Sequence, residues 1–101
     1  MVKHIVLWKL KEQAHGNDKH ANVLKIKNML ESLAGKIPGL IHIEAGIDFS
    51  GTDMSKDIAL YAEFESREAL DIYQKHPLHQ AMMPFIMEAR QERHLIDYET
   101  L

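Results

Sequence analysis

Apolar positions alternate with polar or differently facing ones over Val2 to Lys11, so that His4, Val6, Trp8 and Leu10 share one side while Ile5 and Leu7 face the other. This period of two predicts a strand. Both of its sides are apolar near the middle, so cover is expected above and below it. The pattern changes after a polar connection, Glu12 to Asn17 with Gly16, for which Asn17 or Asp18 is a plausible helix cap. Val23, Ile26, Leu30, Leu33, Ala34 and Ile37 then recur at helical spacing, with Asn22, Lys25, Asn28, Glu31, Ser32 and Lys36 opposite, until Gly35, Pro38 and Gly39 end the run.

Alternation returns in Leu40 to Asp48, with Ile41, Ile43, Ala45 and Ile47 on one face, and in Asp57 to Phe64, with Ile58, Leu60, Ala62 and Phe64 on one face. The intervening Phe49 to Lys56 is too long for a tight hairpin turn and is expected to be mobile. Ser66 caps a second helix whose Ala69, Leu70 and Tyr73 share a face, and Pro77 divides it from a third in which Leu78, Ala81, Met82, Phe85, Ile86 and Ala89 are periodic. Pro84 predicts a kink or a restart near Met83, since proline lacks the amide donor and collides with the preceding turn. Arg90 to His94 reads as a solvated turn, and Glu92 to Glu99 as a last strand with His94, Ile96 and Tyr98 opposite Leu95.

The order strand, helix, strand, strand, helix pair, strand is the split βαβ pattern of an α+β, ferredoxin-like fold with a four-stranded antiparallel sheet. No repeat or linker divides the chain, so residues 1–101 form a single domain. Helices cover one face of such a sheet. The other is expected to carry His4, Val6, Trp8 and Leu10, on a surface of roughly 400 Å² for four strands about 4.8 Å apart. Burial of that area contributes up to about 10 kcal/mol at ~25 cal/mol per Å² before association costs, which predicts a homodimer with facing sheets.

Composition narrows the partners. Twelve basic and fifteen acidic residues give a net charge of -3 spread along the chain, without the basic footprint of a nucleic-acid binder, and Asp57 to Phe64 lacks the basic and aromatic pattern of an RNA-binding sheet. Cysteine is absent, which excludes disulfides and thiolate metal sites. The Ile5 to Trp8 run is too short for a secretory signal and is followed at once by Lys9 and Lys11, so a cytoplasmic location with no membrane partner is the expectation.

Candidate chemistry concentrates in Asp71-Ile72-Tyr73-Gln74-Lys75-His76-Pro77-Leu78-His79. Tyr73 near the end of one helix and His79 at the start of the next can share a pocket, with an imidazole to accept a proton and a phenol to donate one. Each also has a purely structural alternative, a buried tyrosine and a histidine bonded to backbone, and His76 before Pro77 is read first as a cap. A metal site from His4, His76 and His79 lacks a neighbouring carboxylate or a second spaced pair, so neither metal nor cofactor is expected.

The opening Val2-Lys3-His4-Ile5-Val6, the Glu44-Ala45-Gly46 step, Asp57 to Ser66, the Asp71 to His79 run and the closing Ile96-Asp97-Tyr98-Glu99, in this order, resemble the stress-responsive dimeric α/β-barrel (Dabb) family over essentially the whole length. The resemblance implies a ferredoxin-like protomer in a homodimeric α/β barrel. Within the family, plant polyketide cyclases of the olivetolic acid cyclase type perform a cofactor-free aldol cyclisation in a pocket between sheet and helices. Their first-strand histidine falls on His4, their helix tyrosine on Tyr73 and their catalytic histidine on His79, whereas their third-strand histidine falls on Ile58. The corresponding pocket wall is Val6, Trp8, Ile58, Leu60, His76, Met82 and Met83.

The implied function is thus a small-molecule pocket for an apolar carbonyl compound, with cofactor-free, lyase- or cyclase-like acid–base chemistry. A non-catalytic ligand-binding or stress-protective dimer is the first alternative. A dimeric-barrel monooxygenase is the second, although the first strand has no asparagine to accompany Trp8 as in haem-degrading relatives.

Overall fold

A computed structural model describes all 101 residues. The alternating segments pair as one antiparallel sheet in the order β4-β5-β1-β6, where β1 is Val2–Leu10, β4 is Leu40–Ile47, β5 is Ile58–Phe64 and β6 is Arg90–Glu99. Helices α1 (Lys19–Glu31), α2 (Arg67–Lys75) and α3 (Pro77–Ala89) form the second layer of this ferredoxin-like α+β fold. No helix is long and apolar enough to cross a membrane.

The sheet's two faces are assigned opposite to the expectation. His4, Val6, Trp8 and Leu10 are buried beneath the helices, together with Leu60, Ala62 and Phe64 of β5. The open face carries Lys3, Ile5, Leu7 and Lys9 of β1, with Ala59 and Tyr61 of β5 and His94, Ile96 and Tyr98 of β6 in register beside them. The reason is packing. The row of four includes Val6, Trp8 and Leu10, and burial of an aliphatic side chain of that size is worth roughly 1.5 to 3 kcal/mol, whereas lysines flank Ile5 and Leu7 and keep that row only partly covered.

Local chemistry sets the remaining boundaries. The Asp18 carboxylate accepts from the Ala21 amide and starts α1, which ends at Glu31, with Leu33 and Ile37 buried in the turns that follow. Residues 12–17, expected as a plain connection, contain a hairpin of β2 (Gln13–Ala14) and β3 (Asn17–Asp18), turning through His15 and Gly16 in the left-handed region. A register shift between Leu40 and His42 turns Ile41 outward, away from Ile43 and Ala45.

Lys27 and Glu31 of α1 satisfy the outward-facing carbonyl and amide of Ala45, which blunts the free edge of β4. The Phe49 to Lys56 stretch, expected to be mobile, is tied by Asp48, which accepts from the Gly51 amide and the Ser50 hydroxyl, and by Ser55 to Thr52 and Ser50. Pro84 lies inside an unbroken α3, because it and Gln80, whose carbonyl loses its donor, are exposed to water. Arg90 to His94 is not a turn: pairing with Leu10, Lys9, Trp8 and Leu7 draws these residues into β6.

Candidate functional site

The α2–α3 junction positions the chemistry. Ser66 accepts from the Ala69 amide and fixes the start of α2, so Ala69 and Tyr73, four residues apart, both point at the sheet. His76 is extended, as a residue before proline must be, and serves both helices as their cap. Its imidazole accepts from the Leu78 amide at 3.1 Å, which commits the side chain to the junction. Pro77 then supplies the first helical position of α3, and His79 enters the first turn facing Tyr73.

Between these side chains and β1 lies a cavity of about 170 Å³. His4, Val6, Trp8, Leu60, Tyr73, His79, Met82 and Met83, all anticipated, line it. His76 does not, being the cap. Ile58 does not either: it is buried at the far end of β5, where it borders a larger and more open hollow of about 460 Å³ between Leu7, Ile47 and the loop bearing Phe49 and Met54. Leu30, Gln74, Ile86 and Arg93 complete the first cavity without having been anticipated. Leu30 and Ile86 belong to helical stripes already legible as core. Arg93 could be found only from the strand pairing that sets it opposite Trp8.

The aromatic rings are in contact distance. Tyr73 and His79 have centroids 4.5 Å apart, Tyr73 and Phe64 5.0 Å, and His4 and Tyr73 6.1 Å in an edge-on arrangement. His4, 3% exposed, donates from Nδ1 to the Asp97 carboxylate across β1 and β6 at 2.5 Å. Asp97 is a second residue that no local pattern announced. Nδ1 of His79 and Nε1 of Trp8 are buried without a hydrogen-bond partner in the chain.

Titration follows from these surroundings. Burial lowers the His79 pKa below its ordinary 6.5 against the pull of the Gln74 backbone carbonyl, which raises it, and the nearby His4 and Arg93 add to the lowering, so the imidazole is neutral at pH 7. Burial raises the Tyr73 phenol well above its ordinary 10, against the opposing pull of Arg93, so it remains protonated. A neutral base and a protonated donor therefore stand side by side against an apolar wall. Such a pair can take a proton from one atom of a small molecule and give one to another. No group of three or more histidine, aspartate or glutamate side chains is gathered closely enough to hold a metal ion.

Fold and site together define the class: a ferredoxin-like α+β domain with a small cavity between sheet and helices, where histidine and tyrosine meet. The chain belongs to the Dabb family, the stress responsive A/B barrel domain, whose sequence pattern matches residues 2–100. It is 32% identical over 81 residues to an uncharacterised protein of Streptomyces coelicolor, covering 80% of this chain and 81% of the relative. It is also similar to a dimeric protein of unknown function and ferredoxin-like fold from Bacteroides fragilis, with 33% identity, a TM-score of 0.86, and 98% and 95% of the two chains covered. A hydroxynitrile lyase from Passiflora edulis shares the fold at 18% identity, with a TM-score of 0.80 over 99% and 95% of the chains.

Proposed function

We propose that this Dabb protein is a homodimer whose protomers each bind a small apolar carbonyl compound and act on it by cofactor-free acid–base chemistry of a lyase-like kind. The observation that carries the reading is the pairing of half-buried His79, whose Nδ1 is buried without a partner, and Tyr73 in one cavity. An unpaired buried polar atom costs roughly 1 to 3 kcal/mol, a strain that a substrate group would relieve. His79 removes a proton from the substrate while Tyr73 donates one to the carbonyl oxygen as charge builds there, and His4, fixed by Asp97, steadies the far side of the phenol.

The cavity volume limits the substrate. A cavity of ~150 Å³ accommodates benzene, so about 170 Å³ takes a molecule of roughly one ring, and an extended polyketide chain does not fit. The fold itself is compatible with lyase chemistry, as the Passiflora protein of the same architecture illustrates. Dimerisation is supported by the open sheet face, where Ile5 pairs with Ile96 and where Leu7, Ile96 and Tyr98 are exposed, and by the dimeric Bacteroides relative.

Single-ring aldehydes, ketones and hydroxynitriles, followed by carbonyl absorbance, test the reaction. His79→Ala and Tyr73→Phe are each expected to lower turnover by about a hundredfold or more. Turnover that survives unchanged in His79→Ala removes that residue from the mechanism. Ligands that raise the melting temperature of the wild type with no product formed would leave a binding dimer in its place.

A further inference from the structure

Arg93 is the one lysine or arginine on the cavity wall, and no aspartate or glutamate joins it there. It lies in β6 opposite Trp8, on the sheet side that holds His4 and Val6. The two carboxylates farther along that side of the strand are already engaged, Asp97 by His4 and Glu99 by Arg67. Arg93 takes part in none of the chain's ion pairs. Its side chain is exposed, so the guanidinium reaches the water at the cavity mouth while its charge is felt at both Tyr73 and His79.

We propose that Arg93 is an anion clamp and that the natural ligand of this cavity carries a carboxylate on an apolar body of about one ring. The inference rests on the proposed small-molecule site and narrows its substrate class. Guanidinium is planar and offers parallel donors that match a carboxylate. With the carboxylate held at the mouth, the ring has the apolar wall of Val6, Leu60, Met82 and Ile86 to lie on, in the same cavity that His79 and Tyr73 line. An uncharged ligand would leave the guanidinium unused.

The chain's single tryptophan, Trp8, lines the cavity and reports binding by its fluorescence. Benzoate and its neutral counterpart benzamide are titrated at one pH and ionic strength into the wild type, Arg93→Gln and His79→Ala. The wild type is expected to prefer benzoate by about tenfold, the lower end for a charge-assisted hydrogen bond at a partly hydrated site. Arg93→Gln should lose the preference while keeping its benzamide affinity, and His79→Ala should retain it.

Equal binding of the two ligands by the wild type, or a preference that persists in Arg93→Gln, overturns the clamp. The binding readout is independent of turnover. A benzoate preference in a protein that converts no carbonyl compound upholds the clamp and counts against the acid–base reading, whereas His79-dependent turnover without the preference does the reverse.

Discussion

Removing the Asp97 carboxylate tests how the site is braced. His4 is buried in β1 and its Nδ1 has Asp97 as its one partner, reached across the β1–β6 ladder. Asp97→Ala leaves a buried imidazole nitrogen without an acceptor, and the desolvation cost of such a group is about 1 to 3 kcal/mol. Asp97 is itself about a third exposed, which places the expected loss toward the middle of that range, near 2 kcal/mol. At ~4 to 8 °C per kcal/mol for a domain of this size, the melting temperature falls by about 8 to 16 °C.

Thermal unfolding followed by circular dichroism at fixed protein concentration measures it. Asp97→Asn, which retains an acceptor, should lose less than half as much. His4→Phe combined with Asp97→Ala should cost clearly less than the two single losses added together, because the orphaned nitrogen is gone. A single-variant loss below about 0.5 kcal/mol, or strict additivity in the double variant, would refute the idea that this pair holds His4 in place.

Since the folded His79 pKa lies below the unfolded value near 6.5, the unfolded chain binds the extra proton as pH drops through 6.5. The stability contribution is therefore intact above that pH, lost progressively between it and the folded pKa, and flat below; His79→Gln should remove this portion of the slope in urea titrations at pH 5 to 8. Gly39→Ala should destabilise by about 2 to 4 kcal/mol, because residue 39 sits at φ +79° and an added Cβ would stand 2.5 Å from the Ala69 Cβ; no loss would mean that α2 can shift. Light scattering should give about 23 kDa, twice the 11.7 kDa chain, with Leu7→Glu on the open sheet face reducing it to the single-chain value, and a wild-type monomer would rule out the facing-sheet dimer.

Local patterns carried the elements and left the long-range choices open. Alternation in β1 separates the His4 row from the Ile5 row, but both are apolar and alternation cannot say which one the helices cover. That depends on how Tyr73, His79 and Met82 dock, which no single segment encodes. The capping signals of Asp18, Ser66 and His76 with Pro77 were readable because a cap acts within three residues. Tyr73, His79 and His4 were legible as candidates through their spacing and family resemblance. Arg93 and Asp97 were hidden, the first inside a polar run that resembles a turn, the second because its partner is 93 residues away. Ile58 illustrates the reverse: its alternation is plain, yet a position at the end of β5 places it beside the other hollow.

The most direct test of the site is a crystal structure of the protein soaked with benzaldehyde. The ring is expected in the cavity between β1 and α3, with the carbonyl oxygen within about 3 Å of the Tyr73 hydroxyl and the imidazole of His79 beside it. Benzaldehyde found only in the hollow beneath Phe49 and Met54, with the Tyr73–His79 cavity unoccupied at saturation, would contradict it.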